Sequence, residues 1–143
     1  MDRVRDWLWI GKYSETRTPA LLEVSGITAM LQLAGEVKQP GVEHLYVGVD
    51  DAVKLPHERI KEGIEYVRDA RARGKVCLVA CGAGISRAST YTTAVLHEEE
   101  GLDLVAAFRE VARAHPISLP HPLLWESLCE YYGRWIDYRK LFG

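Results

Sequence analysis

The sequence predicts a small α/β domain in which a central, mostly parallel sheet of four to five strands is flanked by helices and the C-terminal half is helical. Three observations support this fold class. Short apolar runs alternate with helical stretches in the first half of the chain, one of these runs is apolar at every position, and the second half carries two apolar stripes at helical spacing. Strands that alternate with helices form parallel sheets, because each helix carries the chain back along the sheet.

The predicted elements of the first half end where glycine or polar residues interrupt an apolar pattern. The predicted strands are residues 7–10, 27–33, 44–49 and 76–80. The predicted helices are residues 18–24 and 57–73. Ile60, Ile64 and Val67 share one face of the second helix. The strand at residues 76–80 lacks the alternation of a half-exposed strand, which is typical of a central strand buried on both faces.

The second half of the chain is predicted to be helical from about Arg87 onward. The residues of the first apolar stripe are Leu104, Phe108, Val111 and Ala112, and those of the second are Leu124, Leu128, Tyr131, Tyr132 and Trp135. A helix with one apolar stripe buries that stripe against the rest of the protein. The aromatic residues of the second stripe, together with Trp125, are therefore expected to belong to the core rather than to a binding platform.

Length and composition limit the kinds of protein that the chain can be. Its 143 residues fit one domain, residues 1–143. The net charge of −2 provides no basic field for nucleic acids or membranes, and no apolar run approaches the roughly 20 residues of a membrane-spanning helix. Three cysteines and no signal peptide indicate reduced thiols in a cytoplasmic protein. We expect a monomer, with Cys77 and Cys129 buried in its core.

A motif with a specific chemistry, which we call the phosphate loop, lies between the last predicted strand and the following helix. It runs Cys-Gly-Ala-Gly-Ile-Ser-Arg over residues 81–87. Its glycines let the backbone curl so that several N–H groups point inward, beside the positive end of the next helix. Arg87 adds donors for two phosphate oxygens, and the positive field favours the nucleophilic thiolate of Cys81. The candidate phosphate-binding residues are Gly82, Ala83, Gly84, Ile85, Ser86 and Arg87.

Other interpretations of this part of the chain are weaker. The loop begins like the GxGxxG dinucleotide motif, but Arg87 stands in place of the third glycine, and the chain has no Gly-Lys-Ser/Thr of a nucleotide P-loop. His97 opens a segment like the zinc motif HExxH, but Gly101 replaces its second histidine, so no metal is expected. The alternative without function is a buried cysteine beside a glycine turn, with Arg87 in a surface ion pair.

The loop resembles the signature of the protein tyrosine phosphatase superfamily, Cys-x5-Arg, and its GISR ending resembles the dual-specificity branch. Other parts of the chain resemble those domains more loosely. These are residues 7–15, 25–31, 45–51 and 117–122. The resemblance covers nearly the whole chain. It implies the fold of that superfamily, a hydrolase that needs no metal or other cofactor, and phosphorylated proteins or small phosphate esters as substrates.

The resemblance also implies a mechanism with a phosphocysteine intermediate. Cys81 attacks phosphorus, while Arg87 and the loop amides hold the phosphoryl oxygens. Asp51 is the general acid and then the base, because it aligns with the acid of the family at the end of the third predicted strand. Asp50 is the alternative acid, and its side chain points the other way if the chain is still extended there. Two further carboxylates, Glu36 and Glu43, are expected to be surface charges.

Two positions beside the motif depart from the family. Ala80 stands where the family has a histidine that orders the loop. Ala88 stands where it has a hydroxyl that stabilises the cysteine as a leaving group. Ser89 is no automatic substitute, because on a helix it points about 100° away from position 88. We therefore expect slow turnover, limited by hydrolysis of the intermediate.

The substrate stays open at this point. A shallow pocket for phosphotyrosine, phosphoserine and phosphothreonine follows from the resemblance. The alternatives are a phosphatase that acts on RNA 5′-phosphates or phosphoinositides, and a weakly active phosphate-binding module. His121 lies in the turn that resembles a region near the active site, and it is expected to be a surface residue.

Overall fold

The computed structural model describes residues 1–143 as five strands, six α-helices and a short 3₁₀ helix. The strands are β1 (Asp2–Arg5), β2 (Leu8–Lys12), β3 (Ala29–Gln32), β4 (Glu43–Tyr46) and β5 (Cys77–Cys81). The helices are α1 (Tyr13–Thr16), α2 (Pro19–Ser25), α3 (His57–Ala72), α4 (Arg87–Glu100), α5 (Leu104–Ala114), α6 (Pro122–Tyr131) and the 3₁₀ helix Tyr138–Leu141. None of these helices has the length and apolar character needed to cross a membrane.

The strands form one sheet in the order β1-β2-β5-β3-β4. Four of them are parallel, and only β1 runs antiparallel to its neighbour, β2. The predicted fold class, a mostly parallel sheet flanked by helices with a helical C-terminal half, is therefore confirmed. β5 occupies the centre of the sheet, where Ala80 is in register with Gly11 of β2 and Gln32 of β3. All residues of β5 are buried, in agreement with its unbroken apolar pattern.

The side chains of β5 alternate between two apolar layers, one on each face of the sheet. Cys77, Val79 and Cys81 belong to the larger layer, a cluster of 30 buried residues to which α3, α4, α5 and α6 contribute. Leu78 and Ala80 belong to a smaller layer beneath α2. Helix α4 contacts β5, α3, α5 and α6. The connection from β5 to α4 is therefore held between the two most enclosed elements of the protein.

The strand β1 is absent from the sequence prediction. Three of its four residues are charged, and only Val4 is buried. An edge strand with one buried residue shows no apolar alternation, so its sequence does not differ from that of a loop. Its position becomes visible only through its pairing with β2, in which Asp2 lies opposite Ile10.

The third predicted strand is too long, because β4 ends at Tyr46 rather than continuing to residue 49. The next ten residues, 47–56, form the β4–α3 loop. Its first part is extended: the N–H of Val47 donates to the Gln32 carbonyl at 2.9 Å and that of Val49 to the Leu33 carbonyl at 3.3 Å. Val47 and Val49 are buried, which explains the apolar alternation beyond the strand.

The prediction of the second helical stripe is wrong at its last residue, Trp135. Helix α6 ends at Tyr131, and Gly133 then adopts a left-handed conformation with φ of 64°. Helical spacing therefore does not extend to Trp135, which is 82% exposed. Trp125 is buried as predicted. The aromatic cluster is thus only partly a core feature.

The three cysteines are free and buried. Cys77 lies in the centre of the sheet, where burial raises the pKa of its thiol to about 12. Burial also raises the pKa of Cys129 in α6. Both side chains therefore remain neutral thiols near neutral pH, as expected of small core residues.

Candidate active site

The phosphate loop joins the carboxyl end of β5 to the first turn of α4. It lies at the edge of the sheet where the connections after parallel strands converge, a common place for ligand sites. The positive end of the α4 dipole points into the same region. The start of the loop is held by Tyr13, whose N–H donates to the Gly82 carbonyl at 3.3 Å. Gly82 and Ala83 are exposed, so the first part of the loop is open to solvent.

Gly84 gives the loop its curl. Its φ of 70° lies in the left-handed region, a backbone conformation that residues with a Cβ rarely adopt. A Cβ at this position would lie 2.9 Å from the Gly11 carbonyl oxygen and 3.3 Å from the Lys12 nitrogen. Glycine is therefore required here both by the conformation of the backbone and by the close approach of β2.

The carbonyl oxygens of three consecutive loop residues are bound by other parts of the protein. The partners are His115 Nε2 for Gly84 (2.7 Å), the Leu119 N–H for Ile85 (3.0 Å) and the Thr90 hydroxyl for Ser86 (2.8 Å). In a trans peptide the carbonyl and the following N–H point in opposite directions. The N–H groups of Ile85, Ser86 and Arg87 are therefore turned away from these partners. Such a series of inward N–H groups can hold an anion.

The side chain of Cys81 lies at the base of the loop and is 3% exposed. Its Sγ accepts a hydrogen bond from the Ala88 N–H at 3.3 Å. Position 88 thus provides a backbone N–H to the sulfur, while its side chain is only a methyl group.

Arg87 connects the two ends of the site. Its Nη1 donates to the Val49 carbonyl at 2.9 Å, which ties the guanidinium to the β4–α3 loop. Its Nη2 would lie 3.1 Å from a Cβ placed on Gly82, so the guanidinium reaches back across the start of the phosphate loop. Arg87 is thus not in a surface ion pair. The alternative interpretation, in which this segment has no function, is therefore wrong on this point.

Ser86 joins the phosphate loop to two other segments. Its hydroxyl donates to Asp51 Oδ1 at 2.7 Å and accepts the N–H of His121 at 2.9 Å. Asp51 Oδ1 also accepts the Ala52 N–H at 2.9 Å. The β4–α3 loop and the turn between α5 and α6, residues 115–121, therefore both meet at the Ser86 side chain.

The four candidate carboxylates occupy different surroundings. Both aspartates are exposed, but Asp51 contacts the phosphate loop through Ser86, whereas Asp50 makes no hydrogen bond or ion pair. Glu36 bonds to His44 at 2.8 Å, and Glu43 bonds to Arg73 and Tyr66. The bond from His44 lowers the pKa of Glu36, and the bonds from Arg73 lower the pKa of Glu43. These two are surface charges held in the ionised form, as expected, and are poor proton donors.

The hydroxyl groups near the start of α4 all face the backbone of the loop. Ser89 Oγ lies 2.6 Å from the Ile85 carbonyl and 2.9 Å from that of Ser86. Thr90 bonds to the Ser86 carbonyl, as described above. Neither hydroxyl forms a hydrogen bond with Cys81 Sγ. The geometry therefore agrees with the expectation that Ser89 does not replace the hydroxyl missing at Ala88.

Two histidines of the α5–α6 turn belong to the site. His121 is half-buried, and its Nδ1 caps α6 by accepting the Leu123 N–H at 3.1 Å, so this partly exposed residue also has a structural contact. His115, which sequence analysis did not single out, is 5% exposed and bonds to Asp2 and Gly84. A signal for it exists in the sequence: His115 follows Val111 by four residues, which places it on the apolar stripe of α5.

Exposed apolar side chains surround the phosphate loop, and we call them the apolar rim. They are Ile85 in the loop (36% exposed), Val53 in the β4–α3 loop (47%), and Ile117 and Leu119 in the α5–α6 turn (55% and 49%). Lys54, the basic residue of the β4–α3 loop, is paired with Glu126 and Glu130. The β4–α3 loop and the α5–α6 turn therefore provide apolar surface, while Lys12 of β2, which makes no ion pair, lies beside Ala83 and Gly84 on the other side of the loop.

Comparison with known proteins agrees with this geometry. The family model of the dual specificity phosphatase catalytic domain matches residues 8–134. Mouse dual specificity protein phosphatase 15 is 29% identical over 145 residues, which cover 99% of this chain and 60% of that protein. Human dual specificity phosphatase 28 is 30% identical over 133 residues, which cover 90% of this chain and 76% of that protein. The chain thus spans about 60% of the length of the mouse relative.

Solved structures resemble the fold over almost its full length. The crystal structure of human dual specificity phosphatase 28 has a TM-score of 0.86 at 28% identity, with 93% of this chain and 96% of that chain covered. The human tyrosine phosphatase-like serine/threonine/tyrosine-interacting protein has the same fold, with a TM-score of 0.84 at 22% identity and coverage of 93% and 95%. On the family match and these similarities, the chain belongs to the cysteine-dependent dual specificity phosphatases.

Proposed function

We propose that this protein hydrolyses phosphotyrosine and phosphoserine or phosphothreonine in proteins through a phosphocysteine intermediate. One observation carries the proposal. The thiol of Cys81 and the guanidinium of Arg87 lie at the two ends of one loop, whose intervening N–H groups are turned away from their bound carbonyls. This arrangement can hold a phosphoryl group above the sulfur.

The first chemical step is attack of the Cys81 thiolate on phosphorus. An S–P bond forms as the bond between phosphorus and the leaving oxygen breaks. Arg87 and the loop amides bind the three equatorial oxygens, on which the negative charge is distributed. The leaving oxygen takes a proton from a carboxylic acid. Water then attacks phosphorus, gives its proton to the same carboxylate, and releases the sulfur as a thiolate.

Asp51 is the proposed acid and base, with Asp50 as the alternative. The hydrogen bond from Ser86 supports this choice, because it places the Asp51 carboxyl group beside the phosphate loop at 2.7 Å from a loop side chain. Asp50 has no contact with the loop. Catalysis by a positioned acid requires proximity to the leaving group, and the contact of Asp51 with the loop supports it over Asp50.

The apolar rim supports a protein substrate over a polyanion. RNA 5′-phosphates and phosphoinositides carry further negative charges that unpaired lysine or arginine side chains would have to bind. Lys12 is one such charge beside the loop. The rim adds four exposed apolar side chains, those of Ile85, Val53, Ile117 and Leu119, which suit the side chains that flank a phosphorylated residue in a polypeptide. A mouse relative at 30% identity has been solved as a complex with zinc tungstate, and tungstate is an oxyanion useful as a probe for this chain.

Hydrolysis of p-nitrophenyl phosphate by matched variants tests the proposal. Cys81→Ser should lower kcat by about a thousandfold or more, and Asp51→Asn by about a hundredfold, while Asp50→Asn should retain activity. Tungstate should inhibit competitively. A reversal of the two aspartate effects would assign the acid to Asp50. Activity that survives in Cys81→Ser would refute the phosphocysteine mechanism. Binding of phosphopeptides without hydrolysis of any ester would indicate a phosphate-binding module.

A further inference from the structure

We infer that His115 is a positioning residue, which holds the phosphate loop in its anion-binding shape through a doubly protonated imidazole. The inference rests on the proposed function. His115 lies in the turn after α5 and is 5% exposed. Its Nε2 lies 2.7 Å from the Gly84 carbonyl oxygen, and its Nδ1 lies 2.5 Å from Asp2 Oδ2. The ring thus joins β1 to the middle of the phosphate loop.

Both neighbours of the ring are hydrogen-bond acceptors. A carbonyl oxygen only accepts, and an ionised carboxylate only accepts. A neutral imidazole has one N–H, so it can satisfy one of these acceptors and leaves its other nitrogen facing a second lone pair. The imidazolium form has two N–H groups and satisfies both. The geometry therefore fits a positively charged ring between Asp2 and Gly84.

The bond to Gly84 acts on the orientation of one particular peptide group. In the peptide that joins Gly84 to Ile85, the carbonyl and the N–H point in opposite directions. Drawing the Gly84 carbonyl toward His115 therefore turns the Ile85 N–H to the other side. Gly84 is also the residue with the left-handed conformation, and glycine is the residue most free to rotate away from it. The hydrogen bond that the Gly84 carbonyl accepts is therefore important for keeping this residue in its left-handed conformation.

Of the three bound loop carbonyls, only that of Gly84 depends on a titratable partner. The Ile85 carbonyl is bound by a backbone N–H and the Ser86 carbonyl by a threonine hydroxyl, neither of which changes charge near neutral pH. The hydrogen bond that fixes the orientation of the Ile85 N–H should therefore weaken as pH rises and His115 loses a proton.

Other charged groups face the same region. His115 lines a cleft of about 240 Å³ together with Asp2 of β1, Lys12 of β2 and Glu15 of α1, and Glu15 is paired with the amino group of Met1. Asp2 is the acidic group in direct contact with the ring, and its side chain is 48% exposed. Its carboxylate can only accept a hydrogen bond from the ring, whereas an amide in its place could also donate one to a neutral ring. The substitution Asp2→Asn therefore tests the same contact from the side of β1.

Equilibrium binding of tungstate tests the inference without catalysis. We would measure the tungstate Kd by calorimetry between pH 6.5 and 9 in the Cys81→Ser protein, alone and combined with each further substitution. The starting protein should bind about tenfold more weakly at the upper end of this range, beyond any change due to tungstate itself. His115→Gln should remove this pH dependence, and Asp2→Asn should reduce it, because an amide at position 2 can satisfy a neutral ring. His44→Gln, which alters a surface histidine bonded to Glu36, is the matched control.

The possible outcomes separate this inference from the proposed function. If His115→Gln keeps the pH dependence of the starting protein, the inference is wrong while the proposed function stands. If His115→Ala is folded by circular dichroism and binds tungstate as tightly as the starting protein, it is also wrong. Should His115→Ala fail to fold, the comparison of His115→Gln with His44→Gln still tests the inference. Failure of the starting protein to bind tungstate, together with no hydrolysis by wild type, would refute both.

Discussion

The sulfur of Cys81 receives one hydrogen bond, from the Ala88 N–H, and no hydroxyl group donates to it. A hydroxyl near the sulfur would stabilise the thiolate as it leaves phosphorus, whereas the methyl group of Ala88 cannot. In the proposed mechanism, the first chemical step would use the loop amides and Arg87. The breakdown of the proposed phosphocysteine intermediate is therefore the step that we expect this chain to support least.

Substitution of Ala88 by serine tests this imbalance. We predict that wild type shows a burst of p-nitrophenol close to one equivalent of enzyme, and that Ala88→Ser raises steady-state kcat by about tenfold and diminishes the burst. Stopped-flow absorbance measures both quantities. Ser89→Ala is the control, because its hydroxyl bonds to loop carbonyls, and it should not raise kcat. An unchanged kcat in Ala88→Ser, with no burst in wild type, would contradict the prediction.

The three cysteines should differ in reactivity. Burial raises the pKa of Cys77 to about 12 and also raises that of Cys129, so neither provides thiolate near neutral pH. Cys81 lies at the open loop with an N–H donor on its sulfur. We predict that iodoacetamide at pH 7 adds one carbamidomethyl group to the native protein, at Cys81, and that tungstate slows the reaction. Peptide mass spectrometry identifies the site, and rapid labelling of Cys77 would be the contrary result.

Among the elements, α4 is placed by contacts on several sides, and one of them, with α3, leaves no room for a side chain. Gly63 in the middle of α3 leaves room for Tyr91 of α4: a Cβ at position 63 would lie 2.5 Å from the tyrosine ring. The ring is fully buried, and its hydroxyl donates to the Arg59 carbonyl at 3.0 Å. It therefore cannot move aside without loss of that bond. Since α4 carries Arg87, this contact also positions one end of the phosphate loop.

Gly63→Ala should therefore destabilise the protein. In an exposed helix, by contrast, replacing glycine with alanine stabilises the helix by about 1 kcal/mol. We expect a net loss of about 1–3 kcal/mol from the overlap with Tyr91. Denaturant unfolding followed by circular dichroism measures the change. Ala72→Gly, at the exposed end of α3, is a control with the ordinary helix propensity effect only. A more stable Gly63→Ala protein would show that the two helices can separate easily.

At the scale of the whole molecule, the site is a meeting point of segments distant in sequence. The β4–α3 loop, the phosphate loop and the α5–α6 turn meet at Ser86, and β1 joins them through His115. Four parallel strands make this possible, because their carboxyl ends lie at one edge of the sheet. The same convergence gathers the apolar rim, whose residues come from three separate segments.

The rim predicts a preference among phosphopeptides. Peptides with leucine or isoleucine on both sides of phosphotyrosine should have a kcat/KM about tenfold higher than peptides flanked by aspartate. This preference should depend only weakly on salt, because the side chains of the rim are uncharged. Phosphate release at 50 and 300 mM salt measures both effects. Leu119→Ser should reduce the preference, and faster hydrolysis of the acidic peptides would contradict it.

Much of the fold is accessible from the sequence, and the exceptions have physical causes. The unbroken apolar pattern of β5 and the apolar stripe of α5 arise because these residues are buried, and buried positions are recognisable in the sequence as apolar residues. β1 is missed because an edge strand with charged residues needs no apolar pattern. The helical stripe fails at Trp135 because Gly133 ends the helical periodicity with one left-handed residue, and β4 appears too long because Val47 and Val49 are buried outside the strand.

The mostly parallel α/β fold and the loop with Cys81 and Arg87 can be predicted from the sequence, because a strand, a glycine turn and a helix N-terminus are local features within a few consecutive residues. Which carboxylate and which histidine contact the loop becomes visible only in the folded structure. Asp51 contacts Ser86 and His115 contacts Gly84 across more than 30 residues of chain. Such contacts follow from the order of strands and the packing of helices, which no local pattern specifies.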